Sequence, residues 1–281
     1  MYRIVAKTRL SGNASRMEVL SPLIARKALA GQFIILRAGE HSERIPLTIH
    51  DVDTEMGTVS VVYQVVGEGT RELDQLESGD SLHDFVGPLG MPTRTEGLNK
   101  VCVVGGGVGC AIAFPVARKL YEKGCETHNI IGFRSRDLVF LEKEFTRVSH
   151  VLRLMTDDGS HGEHGRVTDA LEDLIRQGHV YDQVIAIGPL VMMKYVSELT
   201  RRYGIKTIVS MNPIMVDGTG MCGGCRLTVG GQIKFACVDG PDFDGHQVDF
   251  DEVISRNRMY EDYEQRHREE NCRLLQQEVR P

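Results

Sequence analysis

The sequence predicts an N-terminal antiparallel β-barrel, an α/β domain built on a parallel sheet, then a C-terminal cysteine loop and a charged helical tail. Three observations carry that reading. Residues 1–99 break into short β-type runs separated by turn residues, the pattern of a small barrel or sandwich. From Lys100 onward apolar strand runs alternate with helical ones, which implies a parallel sheet with covered faces. Residues 212–250 are glycine-rich and irregular and hold a cysteine cluster, and 251–281 are dense in charge.

Taken in order, RIVAKTRL, SRMEVLS, GQFIILRA, RIPLTIHD, GTVSVVYQVV and DSLHDFVG read as strands, with IARKALA the one short helix among them. The polar stretch Thr93–Asn99 follows the turn-rich GPLGMP and marks a seam, which separates a unit at 1–99 from one at 100–211. Beyond it VCVVG is a buried strand, AIAFPVARKLYEKG a helix closed by Gly124, and HNIIGF a second strand. TDALEDLIRQGH, QVIAIGP, MMKYVSELTRRYG and TIVSMN continue the alternation. Pro115 lies inside the first of these helices and predicts a kink.

A length of 281 residues suits two domains. The formal charge of -6 lacks the basic footprint that nucleic acid or anionic lipid demands, so neither is expected as a partner. No stretch approaches the roughly 20 apolar residues of a membrane span, and the chain reads as soluble and cytoplasmic. The 7 cysteines are an odd number, partly clustered and partly scattered, which fits a metal site in reducing cytosol better than a disulfide framework.

Three places could carry chemistry. Gly105, Gly106, Gly107, Val108 and Gly109 follow an apolar strand and precede a helix, where backbone N–H groups can approach a pyrophosphate. Cys110 stands where a dinucleotide fingerprint needs its last glycine, and no acidic residue ends the next strand, so a ligand-free turn stays open as a reading. Gly188-Pro189, followed by Met192-Met193, ends another parallel strand on the edge where ligands of such sheets bind. In the first region Arg44, Pro46, Leu47 and Thr48, with Tyr63-Gln64 and Gly69-Thr70, offer an arginine and hydroxyls that are also ordinary barrel features.

The strongest signal is MVDGTGMCGGCRLTVGGQIKFACVDG. Plant-type iron-sulfur loops use C-x4-C-x2-C plus a distant cysteine. Here Asp217, Cys222, Cys225 and Cys237 form D-x4-C-x2-C-x11-C, the same register with a carboxylate in place of one thiolate. Gly218, Gly220, Gly223 and Gly224 strip the loop of side chains, so amides can turn toward sulfur. A tetrahedral zinc site is the competing reading, since C-x2-C serves both metals, and a zinc-stabilised interaction protein is the non-enzyme alternative.

As an ordered set, R-x-P-x-T at 44–48, G-x-G-T, GPLG at 87–90, GGGVG, GFRS at 132–135, TDDGS at 156–160, GPxxMM and the cluster loop resemble the ferredoxin-reductase-like electron-transfer flavoproteins. Two groups are nearest. One is the electron-transfer subunit of dihydroorotate dehydrogenase; the other is the small subunit of NADH-dependent reduced ferredoxin:NADP oxidoreductase, also known as sulfide dehydrogenase beta subunit. The first has cysteine where this chain has Asp217, whereas the second resembles DGTGMCGGC and FACVDGPDFDGHQVDF closely, and it is favoured.

The resemblance implies FAD held by Arg44, Pro46, Leu47 and Thr48 and lined by Val62, Tyr63, Gln64, Gly69 and Thr70, with Thr48 near the flavin N5. It implies NAD(H) across Gly105–Gly109 and Gly188, Pro189, Met192 and Met193, with Arg134, Ser135 and Asp158 as further cofactor-binding residues. A [2Fe-2S] cluster would sit on Asp217, Cys222, Cys225 and Cys237. Arg134 and Arg136 could instead pair with a 2'-phosphate and favour NADP(H), but the resemblance points to NAD(H). Ile187 stands where many relatives carry cysteine and Ile45 where they carry a second arginine, which implies a nicotinamide without a thiol neighbour and a less charged diphosphate pocket. The implied partner is a larger iron-sulfur flavoprotein subunit in a heterodimer, through which ferredoxin is reached indirectly in an electron-bifurcating enzyme. A flavin reductase acting alone would need neither cluster nor tail. The tail, 251–281, is expected to be largely helical and to contact that subunit, because its apolar stripe is too thin to hold it by its own burial.

Overall fold

A computed structural model describes residues 1–260. Alternating apolar residues in the first region build β1 (Tyr2–Arg9), β2 (Ala14–Leu20), β3 (Phe33–Arg37), β4 (Ile45–Asp53), β5 (Thr58–Gln64), β6 (Ser81–Leu82) and β7 (Asp84–Leu89). They pair antiparallel in the order β6-β1-β2-β5-β4-β3-β7. Only His83 separates β6 from β7 in the chain, so the two edges of the sheet meet and the barrel is nearly closed. Ile4, Met17, Ile34, Leu36, Val59 and Val61 fill it, all fully buried.

Two short helices differ from expectation. The helix expected over IARKALA shrinks to one turn, α1 (Pro22–Ala25). Residues read as a glycine turn instead form α2 (Glu68–Gln75), whose Leu73 is buried in the barrel. The Thr70 hydroxyl explains the start of α2: it accepts from the amides of Val66 and Gly67, each at 3.0 Å, which lets a helix begin at a glycine cap.

The second region contains β8 (Lys100–Gly106), α3 (Gly109–Glu122), β9 (Glu126–Phe133), α4 (Glu142–Arg147), β10 (Val151–Thr156), β11 (Glu163–His164), α5 (Val167–Arg176), β12 (Gln183–Ile187), α6 (Leu190–Arg202) and β13 (Thr207–Ser210). A hairpin of β14 (Arg226–Val229) and β15 (Gln232–Phe235) follows, then β16 (Asp242–Asp244) and α7 (Phe250–Asn257). The sheet runs β11-β10-β9-β8-β12-β13-β16, parallel throughout except for the antiparallel edge strand β16. From β8 the chain goes first to one side and later returns to the other, so the crevice between the ends of β8 and β12 is a topological switch point. The seam expected at Thr93–Asn99 falls between β7 and β8.

The start of the tail behaves differently from its expected thin stripe. Asp249 caps α7 by accepting from the Glu252 amide, and Phe250 and Val253 are buried against the hairpin and α6, roughly 1.5–3 kcal/mol of burial each. The helix therefore belongs to this chain's own core. A short 3-10 turn continues to Tyr260; the remainder of the expected helical tail lies outside the described residues.

Candidate functional site

The ends of β8, β9, β10 and β12 face β4 and β5 across a cleft of about 1280 Å³. That is more than the roughly 300–1,000 Å³ of a single small-molecule pocket and leaves room for two extended ligands. Pro46, Leu47 and Thr48 of β4, Val62, Tyr63 and Gln64 of β5, and Thr70 in the first turn of α2 form the barrel wall. Tyr63 contributes little but backbone, because its ring is buried and its hydroxyl donates to Asp74 at 3.0 Å. Burial and the Asp74 charge push that phenol well above its ordinary range, so it stays neutral.

Gly106, Gly107, Val108 and Gly109 form the opposite wall together with Gly188, Pro189 and Met192. Glycine is required at 109: a Cβ there would lie 2.5 Å from the Ile187 carbonyl oxygen and 2.6 Å from Gly188 Cα. The two strand-to-helix turns thus touch backbone to backbone. The N-termini of α3 and α6 open side by side onto the cleft, and α2 opens onto it from the barrel. Each turns the positive end of a helix dipole to the cleft, which suits the phosphates of a dinucleotide.

Arg134, Arg166 and Arg202 also line the cleft, as do Asp157, Asp169 and Glu172. Arg134 is in this lining and Asp158 is not. Its carboxylate turns back to the Ser160 amide and hydroxyl at 3.0 and 2.6 Å, and Asp157 faces the cleft instead. Five other expected residues also stay off the cleft wall. The Arg44 guanidinium donates through Nε to the Val216 carbonyl at 2.7 Å and reaches Asp84 at 3.4 Å. Gly69 is packed inside α2 against Glu43 and Ile45, Gly105 is buried in β8 against Cys110, Ser135 donates to Asp137, and Met193 is fully buried in the core. Asp157, Arg166, Tyr195 and Met211 line the cleft without having been expected there. A reading of VLRLMT as a strand would have found Asp157, since it is the residue that leaves β10.

The cysteine loop lies against the barrel. A Cβ at Gly218 would come within 2.8 Å of Ile35 and Leu89, and the Arg44 contact to Val216 ties the loop to the strand that carries Pro46–Thr48. Cys225 and Cys237 are buried with their sulfurs 3.2 Å apart and no disulfide between them, while Cys222 is exposed. Each sulfur receives a backbone amide: Gly224 donates to Cys222 at 3.4 Å, Cys237 to Cys225 at 3.4 Å, and Gly220 points at Cys237. Such N–H···S contacts are what a cluster loop supplies. Burial and the neighbouring Cys225 push the Cys237 thiol up, and a bound metal's charge would favour its thiolate. Asp217 accepts from the Thr219 hydroxyl and amide and, through its other oxygen, from the Cys222 amide at 2.9 Å, which together hold its carboxyl well below the usual range. Among the described residues no three His, Cys, Asp or Glu groups converge closely enough to hold a metal ion; the donor set fits a cluster, and two of its four members are already in contact.

Comparison with known proteins agrees with this geometry. Residues 212–249 match the family model for the iron-sulfur cluster binding domain of dihydroorotate dehydrogenase B. The dihydroorotate dehydrogenase B (NAD(+)) electron transfer subunit homolog of Thermotoga maritima is 45% identical over 264 residues, covering 94% of this chain and 93% of its own length. The electron transfer subunit of Geobacillus thermodenitrificans is 31% identical over 254 residues, covering 87% and 96%. The chain belongs to the dihydroorotate dehydrogenase electron-transfer subunit family. Within that family's fold, which is ferredoxin-reductase-like, a chain of the solved NADH-dependent reduced ferredoxin-NADP oxidoreductase superposes with a TM-score of 0.91 at 43% identity, covering 97% of this chain and 98% of that one. Family membership makes the chain an oxidoreductase subunit. No helix among its described residues is long and apolar enough to cross a membrane.

Proposed function

We propose that this chain is the electron-transfer flavoprotein subunit of an NADH-dependent reduced ferredoxin:NADP oxidoreductase that bifurcates electrons. The end-to-end likeness to that enzyme's chain carries the reading, and the cysteine loop docked on the barrel wall of the cleft supports it. FAD bound there would accept a hydride from NADH and pass electrons singly to a [2Fe-2S] cluster; that chemistry is the cofactors' own.

The residues supply place and field. Pro46, Leu47, Thr48, Gln64 and the α2 N-terminus would hold the FAD, with Thr70 serving chiefly to build that helix end. Gly106–Gly109 and Gly188–Met192 would hold the dinucleotide phosphates, and the closed contact at Gly109 keeps water out between the two turns. Asp217, Cys222, Cys225 and Cys237 would hold the cluster. Asp157 in the lining of the cleft favours NAD(H), because a carboxylate accepts from a ribose diol and repels a 2'-phosphate. The units 1–99, 100–211 and 212–250 would then be the flavin, dinucleotide and cluster regions.

The subunit works in the cytoplasm beside a larger iron-sulfur flavoprotein, as a heterodimer or higher assembly, with ferredoxin served by that partner. The names of the relatives keep a second reading in view, electron transfer to a dihydroorotate dehydrogenase. The anaerobically purified chain should show flavin absorption with broad cluster bands, and NADH should bleach the flavin at lower concentration than NADPH. A colourless zinc protein ends the proposal; an NADPH preference reverses the dinucleotide assignment; efficient reduction of a dihydroorotate dehydrogenase catalytic subunit selects the second reading.

A further inference from the structure

Pro115 stands inside α3, and a proline has no N–H to close the helical bond to the carbonyl four residues earlier. That carbonyl belongs to Ala111, and it is not left bare: His50 Nδ1 lies 2.7 Å from it. A carbonyl only accepts, so Nδ1 carries the proton. Burial holds the imidazole below its ordinary pKa, which keeps it neutral at pH 7 and fixes the Nδ1–H tautomer. His50 is 4% exposed, with its ring 5.7 Å from that of Phe114 on the same helix.

The backbone of β4 delivers it there. The ladder with β5 slips between Ile49 and Asp51, which puts His50 at an irregularity of the kind that turns a side chain out of the strand's alternation. Next to it Asp51 pairs with Arg118 of α3 at 2.7 Å, both half-exposed. The same β4 places Pro46–Thr48 on one wall of the cleft, and the same α3 places Gly109 and Ile112 on the other.

We propose that His50 is a positioning residue that fixes the gap between the barrel wall and the dinucleotide wall by donating to the carbonyl that Pro115 leaves free. Any other residue at 115 would let the helix satisfy Ala111 by itself; proline reserves that oxygen for a donor from outside the helix. The inference rests on reading the cleft as a flavin and dinucleotide site.

Variants of the full chain test it. His50→Leu should slow flavin bleaching by NADH on the order of 10- to 100-fold, as misplacement by about an ångström does, while NAD+ affinity by calorimetry shifts less than about threefold. The amides of 109–114 should exchange hydrogen faster, a readout that needs no cofactor. His50→Asn, whose amide nitrogen falls near Nδ1, should recover most of the rate, and Asp51→Asn should stay near wild type because an exposed pair contributes little. Adding Pro115→Ala to His50→Leu should restore exchange protection but leave bleaching slow. Repair of both by Pro115→Ala would show that His50 only satisfies the helix and would overturn the proposal, as would unchanged exchange in His50→Leu. Should the leucine variant not fold, His50→Gln decides: its amide nitrogen sits farther out than Nδ1 and cannot hold the same gap, so bleaching must slow, and an unchanged rate refutes the idea. If wild type takes up no flavin, the functional reading fails, and the exchange comparison still judges the tether.

Discussion

The cleft and the cysteine loop lie side by side but reach their shapes by different means. The cleft is made of strand ends and helix starts, and each wall is fixed by backbone ladders and by the direct contact of two turns at Gly109. The loop between β13 and β14 has no ladder. Gly218, Gly220 and Gly223 take φ values of 81, 86 and 67, which L side chains rarely adopt, and Met221 is 90% exposed. Backbone ladders shape the first site, whereas glycines in left-handed conformations shape the second and bring two of its sulfurs together.

The largest effect that could break this contrast is loss of one buried thiol. Cys225→Ser should reduce bound iron and sulfide to near zero while flavin content stays close to one per chain, read by elemental analysis and the visible spectrum. Loss of flavin along with iron would mean the cleft depends on the loop and the contrast is wrong. The reverse test is Gly109→Ala. Its Cβ would press on the Ile187 carbonyl and Gly188 Cα, and over-packing of that kind costs about 1–3 kcal/mol. Nucleotide affinity should fall on the order of tenfold or more, as that cost converts, with iron content unchanged.

The same contrast explains what could be read from sequence. The barrel, the alternation after Lys100 and the glycine turns were legible because hydrophobic period and turn chemistry report local backbone directly. The loop was legible from Asp217, Cys222, Cys225 and Cys237 through spacing alone. Side-chain direction was not. The Arg44 guanidinium goes to Val216, 172 positions away, the Asp158 carboxylate to Ser160 in its own turn, and Met193 to the core, outcomes set by a distant neighbour, by local turn geometry and by helix phase. The α2 start depends on Thr70 bonding backward to its own turn, a contact that resembles an ordinary loop in sequence. Pro115 was read as a kink; the donor to the Ala111 carbonyl that it leaves free, His50, has no sequence signal.

A smaller effect sharpens the boundary between the two regions. Asp242 of β16 sits between Thr93, whose hydroxyl donates to it at 2.5 Å, and Ser210 of the cleft, while its other oxygen is buried without a partner. Burial pushes its pKa up to about 6 from 3.8. A carboxyl raised on folding binds its proton more tightly in the native state, so its contribution is full below about pH 4 and is lost as pH rises through 6, up to about 3 kcal/mol. Asp242→Asn should therefore unfold at higher urea than wild type at pH 8, with the gap closing toward pH 4. Parallel curves for the two proteins across that range would show that Asp242 ionises without cost in the fold.

The smallest expected effect concerns Asp217, where two roles compete. Its carboxylate already accepts from Thr219 and from the Cys222 amide, so it shapes the loop whether or not it touches iron. Three accepted bonds leave one of a carboxylate's four lone-pair directions open, enough for one metal bond. Asp217→Asn keeps an acceptor for the loop but removes the anionic ligand, and Asp217→Cys keeps an anionic ligand but removes the acceptors. If Asp217 binds iron, both variants should retain a cluster, with EPR spectrum and reduction potential shifted in each, because ligand charge and softness set the potential. If it only shapes the loop, the asparagine variant should match wild type in both measurements and the cysteine variant should lose cluster content instead. That second pattern would leave the fourth ligand to be found elsewhere and would make Asp217 part of the loop's own scaffold, as Gly109 is of the cleft's.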